Sequence, residues 1–217
     1  MNQVSPFDKY TRRYEEWFEK HPFVYDAEVR ALRKLIPPTG RSLEIGVGTG
    51  RFALPLRIIY GLEPSRLMAV YARQRGIKVV RGHGERLPFR TDSFDVLLIV
   101  TTICFFADTW TALQEAARVI RPRGHLIIGM VNRTSPLGLK YVEHKEESVF
   151  YREANFYSVE EVVQMLRATG FSRFKYTQTI FHDLEQVHQR EEVLEGYNMG
   201  SFIGIDAEYT GQDDNSS

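Results

Sequence analysis

The sequence of 217 residues is poor in cysteine, has no long apolar run and carries no excess of charge. Its one cysteine, Cys104, excludes an internal disulfide and a zinc site built from several cysteines. Lysine and arginine total 28, as do aspartate and glutamate, so the net charge favours neither nucleic acid nor an anionic membrane as a partner. The longest apolar runs, such as Phe94–Val100, have the length of a strand rather than of a membrane span.

The sequence also lacks a signal peptide and a cluster of metal-binding residues. The first twenty residues are polar and charged and lack the apolar core of a signal peptide. No cluster of histidine, aspartate or glutamate has the spacing of metal ligands, so we expect no metal. These features predict a cytoplasmic protein that has no membrane, nucleic-acid or metal partner and is a monomer or a homodimer.

From residue 41 onward, short apolar runs alternate with amphipathic segments, which is typical of a parallel sheet with crossover helices. The predicted strands are residues 42–45, 58–63, 78–80, 94–100 and 126–131. Helices are predicted between them at residues 50–56, 65–75 and 109–121. Before this region, apolar side chains recur at helical spacing around residues 10–18 and 25–35. We therefore expect an N-terminal helical cap over residues 1–36.

The last third of the chain has a different pattern. Residues 133–157 form an aromatic-rich connection without regular periodicity. A helix follows over residues 158–170, where Ser158 and Glu161 form a capping box. Residues 171–181 and 201–209 predict an antiparallel hairpin. The whole is expected to be one α/β domain over residues 1–210, with a mainly parallel seven-stranded sheet, a C-terminal antiparallel strand, helices on both faces and a disordered tail at 211–217.

The stretch SLEIGVGTGRF places Gly46, Gly48 and Gly50 directly behind a predicted strand. Glycines at such a position let the backbone turn tightly and approach a ligand, and the exposed N–H groups favour anionic groups. A dinucleotide-binding loop requires a further glycine where this chain has Arg51. Glu63 ends the second predicted strand, where an acid can accept bonds from both hydroxyls of a ribose. The residues thus indicate an adenosine-containing cofactor, either a dinucleotide or a methyl donor.

Three more stretches follow this glycine loop: LEPS, then GHGERLPF with SFDVL, then ALQEAARVIRPRGHLII. In this order they resemble the class I S-adenosylmethionine-dependent methyltransferases. The similarity is to the small-molecule branch that includes ubiquinone and menaquinone biosynthesis methyltransferases, with the methyltransferase type 11 domain. FDKYTRRYEEWF is similar to the first helix of that branch. The resemblance covers residues 6–181 and implies a Rossmann-like fold, S-adenosylmethionine as cofactor and a small-molecule acceptor.

The resemblance also implies a set of cofactor-binding residues. They are Tyr14, Trp17, Glu44, Gly46, Gly48, Gly50, Glu63, Pro64, Met68, His83, Gly84, Glu85, Thr101, Thr102 and Ile103. Glu63 would bind the ribose hydroxyls, and the three glycines would line the methionine moiety and the ribose. Glu44 would help to hold either the loop or the amino group. Family members often carry Asp-Ala-Glu where this chain has His83-Gly84-Glu85, so the usual acidic contact to adenine is absent at residue 83. For Tyr14 and Trp17, closure of the cofactor pocket and packing on the core are equal alternatives.

The acceptor side is less defined by the sequence. Residues 101–106, TTICFF, lack the Asn/Asp-Pro-Pro-aromatic stretch that is common in enzymes that methylate nucleobase or glutamine amino groups. Aromatic side chains are instead the candidates for lining the acceptor: Phe105, Phe106, Tyr141, Tyr151 and Tyr157. His144 is a candidate general base. A non-catalytic S-adenosylmethionine-binding protein and a nicotinamide-dependent oxidoreductase stay open as alternatives.

Overall fold

The computed structural model describes residues 5–211, so the first four residues of the predicted cap and residues 212–217 of the predicted tail lie outside the described part. Its strands are β1 (Ser42–Ile45), β2 (Tyr60–Leu62), β3 (Lys78–Val80), β4 (Phe94–Val100), β5 (Ile120–Val131), β6 (Phe171–Thr179), β7 (Leu194–Glu195) and β8 (Phe202–Tyr209). Its helices are α1 (Pro6–Lys9), α2 (Thr11–Lys20), α3 (Pro22–Arg33), α4 (Ala53–Leu56), α5 (Arg66–Gln74), α6 (Thr109–Val119), α7 (Pro136–Glu143) and α8 (Val159–Ala168). The strands form one sheet in the order β3-β2-β1-β4-β5-β8-β6-β7.

The first five strands are parallel, as predicted from the alternation of strands and helices. The bounds of β1, β3 and β4 agree with the prediction, whereas β2 is shorter. Strand β5 begins at Ile120, six residues before its predicted start at Leu126. Ile120 pairs with Phe94, and the register of the ladder then shifts before His125. Residues 121–124, which are Arg-Pro-Arg-Gly, lie in this irregular part, and they interrupt the apolar pattern on which the prediction depended.

The antiparallel part of the sheet follows β5. Strand β8 runs antiparallel to both β5 and β6, which confirms the predicted C-terminal hairpin. The sheet has eight strands rather than seven, because Leu194–Glu195 pairs with Thr177 and Gln178 of β6. A strand of two residues has no periodicity that the sequence could reveal.

Helices cover both faces of the sheet, as predicted. Alternate residues of β4 point to opposite faces, since successive side chains of a strand alternate. Leu97 and Ile99 belong to the core that includes α6 and α8, and Leu98 belongs to the core that includes α3 and α4. No helix within residues 5–211 combines the length and the apolar character that crossing a membrane requires.

The predicted irregular connection over residues 133–157 contains a helix, α7, so the prediction is wrong there. Ser135 accepts a hydrogen bond from the N–H of Gly138, and Pro136 occupies the first helical position. This is a known start signal of helices. By contrast, α8 begins as predicted: the N–H of Glu161 donates to Ser158 Oγ and the N–H of Ser158 donates to the Glu161 carboxylate.

Candidate active site

A cavity of about 700 Å³ opens at the carboxyl ends of the parallel strands. Ile45 at the end of β1, Leu62 at the end of β2, Thr101 just after β4 and Val131 at the end of β5 all line it. The order of the sheet reverses between β1 and β4, and this switch point is where open α/β sheets bind their ligands. The cavity thus extends from the β3 side of the sheet, where Gly84 lies, to the β5 side.

The glycine loop after β1 forms one wall of this cavity. Gly46, Gly48 and Gly50 have φ values of 74°, 54° and 84°, a region that side chains disfavour. A Cβ at Gly46 would stand 2.2 Å from the side chain of Thr102, so the loop after β4 approaches too closely for any other residue. Gly46 and Gly48 line the cavity, whereas Gly50 packs against Ala72.

Glu63 lies just after β2 and faces the same space. Its carboxylate accepts hydrogen bonds from the N–H groups of Gly48 and Ser65, both at 2.8 Å. Burial raises the pKa of Glu63 to about 7, although these two N–H groups act to lower it. The carboxylate therefore joins the glycine loop to the start of α5 at the rim of the sheet.

Glu44, in β1, is buried behind the loop and does not line the cavity. Its Oε2 atom has no hydrogen-bond partner among the residues that the structure describes. Burial and the nearby charge of Glu63 raise the pKa of Glu44 well above its ordinary value. An unsatisfied buried oxygen of this kind costs free energy unless a donor approaches it.

The loops after β2, β3 and β4, together with the first turn of α5, bring most of the remaining predicted cofactor residues to the cavity. Those that line it are Pro64, Met68, His83, Gly84, Glu85, Thr101 and Thr102. Glu85 accepts a hydrogen bond from the N–H of Ala107 at 2.7 Å, so it connects two of these loops. Ile103 differs from the rest, because its side chain is buried in the core outside the cavity.

Helix α2 covers the cavity from the N-terminal side. Tyr14 and Trp17 both line the space, and the Tyr14 hydroxyl would stand 3.4 Å from a Cβ placed on Gly48. Arg51 of the glycine loop forms an ion pair with Glu15 of α2 at 2.7 Å. Arg75 bonds both Glu15 and the Thr49 carbonyl oxygen. Glu15 thus holds α2 against the loop through two arginines.

Aromatic side chains line the part of the cavity beyond the glycine loop. Phe105 stacks on Tyr151 with ring centroids 5.8 Å apart, and Tyr141 stacks on Tyr151 at 5.1 Å. Phe106 also lines the cavity. Tyr157 does not line it, because its hydroxyl lies 3.0 Å from Thr109 Oγ1 at the start of α6. This polar partner lies in another element, which the sequence could not reveal.

His144, the candidate general base, lines the cavity, whereas the single cysteine, Cys104, is buried. His144 lies at the C-terminal end of α7, lines the cavity, is otherwise exposed to solvent, and its Nδ1 is 3.0 Å from the carbonyl oxygen of Lys140. Cys104 is buried, and burial raises the pKa of its thiol to about 12. A thiol in this state is neutral and unreactive at neutral pH.

Known proteins share both the sequence and this fold. Residues 43–128 match the family described as "Methyltransferase domain". The chain is 46% identical to an uncharacterized protein of Methanocaldococcus jannaschii over 94% of this chain and 99% of that protein. A crystal structure from Thermotoga maritima, described as "SAM-dependent methyltransferase, possible histamine N-methyltransferase", superposes with a TM-score of 0.93 at 46% identity, over 95% of this chain and 100% of the other. This chain belongs to the S-adenosylmethionine-dependent methyltransferases.

A more distant relative of the methyltransferase is the ubiquinone biosynthesis O-methyltransferase of Azorhizobium caulinodans. It is 28% identical over 75% of this chain and 72% of that protein. The predicted resemblance to the ubiquinone and menaquinone branch is therefore confirmed.

The cavity of the methyltransferase fits the cofactor that its family uses. Its volume lies in the range of about 300–1,000 Å³ that is typical of small-molecule sites. The φ > 0 loop leaves Gly48 without a side chain at the cavity wall, and Glu63 adjoins that wall with acceptor oxygens. The unpartnered Oε2 of Glu44 is a further acceptor behind the loop. These features suit a ligand that carries hydroxyl and ammonium donors.

Several residues that line the cavity of the methyltransferase were not predicted from the sequence. Phe7 and Phe150 add aromatic surface and stack on each other with centroids 5.3 Å apart, and Glu28 contributes a buried carboxyl group. The sequence pattern could have identified Glu28 as a site residue, because Glu28 lies on the face of α3 that carries the buried residues Val24 and Ala27. An acid within an apolar stripe is unusual in a helix that packs on a core.

Proposed function

We propose that this protein transfers a methyl group from S-adenosylmethionine to a small-molecule acceptor. The observation that carries the proposal is the buried carboxylate of Glu63, which lies beside a φ > 0 glycine loop in a cavity at the switch point of the sheet. S-adenosylmethionine, when bound, supplies an electrophilic methyl group on a positively charged sulfur. The family of the chain supports this choice of cofactor.

In this proposal each loop contacts a different part of the cofactor. Glu63 accepts hydrogen bonds from the ribose hydroxyls, and the glycine loop lies along the ribose and the methionine part. Glu44, which is buried behind this loop, helps to hold it in place. The N–H of Gly84 bonds the adenine, with His83 beside it and Met68 against the ring. The carbonyl oxygens of Thr101 and Thr102, which line the cavity, face the amino group.

The aromatic side chains exclude water and orient the acceptor. Tyr14 and Trp17 close the cavity from α2, and Phe105, Phe106, Tyr141 and Tyr151 form the wall that the acceptor contacts. Alignment of the reacting groups supplies much of the rate enhancement in such a transfer, on the order of 7–11 kcal/mol in favourable cases. His144 is the candidate base for an acceptor that must lose a proton, since it lines the cavity.

The relatives indicate two chemistries for the acceptor, and both involve small molecules. One is described as a possible histamine N-methyltransferase and the other as a ubiquinone biosynthesis O-methyltransferase. The acceptor of this chain is therefore proposed as a small molecule that carries an amine or a hydroxyl group.

Calorimetric titration of the purified protein with S-adenosylhomocysteine and with NADH tests which cofactor the protein binds. We expect micromolar binding of S-adenosylhomocysteine and none of NADH. Binding of NADH alone would contradict the proposal. Turnover of S-adenosylmethionine with a panel of amines, phenols and thiols, histamine included, then separates an enzyme from a protein that only binds the cofactor.

A further inference from the structure

The carboxyl group of Glu28 is buried in α3 and has no partner. Its residue is only 5% exposed, and none of the hydrogen bonds and ion pairs within residues 5–211 includes it. Two other buried acids are bonded to histidines: Asp206 lies 2.8 Å from His125 Nδ1, and Glu191 lies 2.7 Å from His182 Nδ1. Glu44 has an unpartnered oxygen, but it does not line the cavity. Glu28 therefore stands out, because a buried carboxyl without a partner costs several kcal/mol.

Glu28 belongs to the acceptor side of the cavity. It lines the cavity together with Val131 at the end of β5 and Tyr141 of α7. Glu63 follows β2, and β1 and β4 lie between β2 and β5 in the sheet. The charge of Glu28 acts on Tyr14, Tyr141 and Tyr151, whose pKa values burial raises. The carboxyl thus lies within Coulombic range of the aromatic wall.

The fold gives this carboxyl no structural task. Glu28 lies in the middle of α3, so it does not cap the helix, and it makes no bond to a neighbouring element within the described residues. A cation or a strong donor that enters the cavity would satisfy it. Aromatic rings such as those of Tyr141 and Tyr151 also attract a cation through their π-electrons.

We propose that Glu28 is the binding site for a positively charged amine of the acceptor, whose apolar body packs on the aromatic wall of Tyr141 and Tyr151. The inference rests on the proposed function of the cavity and narrows its substrate class to amines. The ammonium donates hydrogen bonds to the carboxylate in a space that excludes water. A neutral alcohol of the same shape lacks the charge and binds more weakly.

Binding of matched amines and alcohols tests this site without turnover. The protein is saturated with S-adenosylhomocysteine and titrated by calorimetry at pH 7.5 with 2-phenylethylamine and tryptamine, and with 2-phenylethanol and tryptophol. We expect at least one amine to bind about 30-fold or more tightly than its alcohol, since losing one partner of a buried charge pair costs at least about 2 kcal/mol. Glu28→Gln should abolish this preference and leave alcohol binding unchanged.

Asp26→Asn is the matched control, because Asp26 lies on the same helix, its side chain is 46% exposed and it pairs with Arg30 outside the cavity. This variant should keep the preference for amines. Glu28→Asp keeps the charge but shortens the side chain, so it should bind amines more weakly while still preferring them to alcohols. This variant is used if Glu28→Gln does not fold. Folding is checked by thermal melting.

Two outcomes separate the inference from the proposed function. Failure to bind S-adenosylhomocysteine would overturn the function itself. The amine site alone would be overturned if S-adenosylhomocysteine bound normally but each amine bound no more tightly than its matched alcohol. It would also be overturned if none of the four compounds bound. Retention of the full preference in Glu28→Gln would do the same.

Discussion

Three buried carboxyl groups lie near the cavity of this methyltransferase: Glu28 and Glu63 line it, and Glu44 lies behind the glycine loop. Burial raises the pKa of each, to about 8 for Glu28 and about 7 for Glu63. A buried carboxyl prefers its neutral form unless donors or cations compensate its charge. Glu28 accepts no hydrogen bond within the described residues, and Glu63 accepts only two, so both carboxyl groups keep acceptor capacity for a ligand.

Replacement of Glu63 by alanine should weaken binding of S-adenosylhomocysteine by about 10- to 100-fold, because the ribose hydroxyls lose their acceptor. Calorimetry measures the effect. Glu63→Gln has one acceptor oxygen, so it can keep only one of the two hydrogen bonds from the N–H groups of Gly48 and Ser65, and it should lose less affinity than Glu63→Ala. Glu143→Ala, at an exposed position of α7, serves as the control. Unchanged affinity in Glu63→Ala would place the ribose elsewhere.

The free energy of unfolding should depend on pH through Glu28. Its pKa rises from an ordinary value near 4.5 in the unfolded chain to about 8 in the folded one. Because the folded state binds this proton more tightly, its contribution to stability is full below pH 4.5 and is lost as pH rises to 8, at up to about 1.4 kcal/mol per pH unit.

Urea unfolding of the wild type and of Glu28→Gln at pH 5.5 and 8.5 measures this effect. The variant should lose less stability over this interval than the wild type does. The tyrosines on which Glu28 acts, Tyr14, Tyr25, Tyr141 and Tyr151, have raised pKa values and stay neutral throughout. An identical pH dependence of the two proteins would show that Glu28 does not titrate in this range.

At the scale of elements, α2 is the part that joins the N-terminal helices to the glycine loop. Arg51 occupies the position where a dinucleotide site requires glycine, and here its guanidinium bonds Glu15. Arg75, which follows α5, bonds the same carboxylate. Asp8 of α1 adds a further connection, because it accepts hydrogen bonds from the Ser65 hydroxyl and the N–H of Leu67.

Glu15→Gln should loosen this connection and weaken binding of S-adenosylhomocysteine by about threefold or more, because the closed arrangement of α2 becomes less populated. Stopped-flow fluorescence should show the change mainly as faster dissociation. Glu16→Gln is the matched control, since Glu16 is exposed and pairs only with Arg12 among the described residues. If S-adenosylhomocysteine dissociated from both variants at the same rate, the contact of α2 with the glycine loop would not contribute to cofactor retention.

At the scale of the whole molecule, the sheet supplies a rigid base and the N-terminal helices supply the cover. Strand β4 is almost wholly buried between helices on both faces, whereas α2 buries only Thr11 and Phe18. Local opening requires least free energy where few apolar contacts hold an element. Ligands are therefore expected to enter beneath α1 and α2 rather than through the sheet.

Hydrogen exchange detected by mass spectrometry checks this expectation. In the free protein, the amides of α2 should exchange much faster than those of β4, and S-adenosylhomocysteine should slow the exchange of α2 selectively. The amides of α8 lie on the other side of the molecule and act as the internal control. Protection of α2 equal to that of β4 without ligand would contradict the expectation.

Local patterns predicted much of the fold and part of the site. The bounds of β1, β3 and β4 followed from short apolar runs, and the helix start at Ser158 followed from its capping box. The pattern failed where an element was very short, as in β7, or where a start signal stood without strong periodicity, as in α7. Four of the predicted site residues do not line the cavity: Glu44, Gly50, Ile103 and Tyr157.

The sequence by itself determined the sheet of parallel strands, the glycine loop and the acid at the end of β2, because each depends on neighbouring residues in the chain. Only the tertiary structure decided which distant residues meet. It brought Glu15 to Arg51, Tyr157 to Thr109, and the carboxyl of Glu28 to an aromatic cavity built largely from other elements. Such meetings depend on how helices pack on the sheet, and local spacing carries no information about that packing.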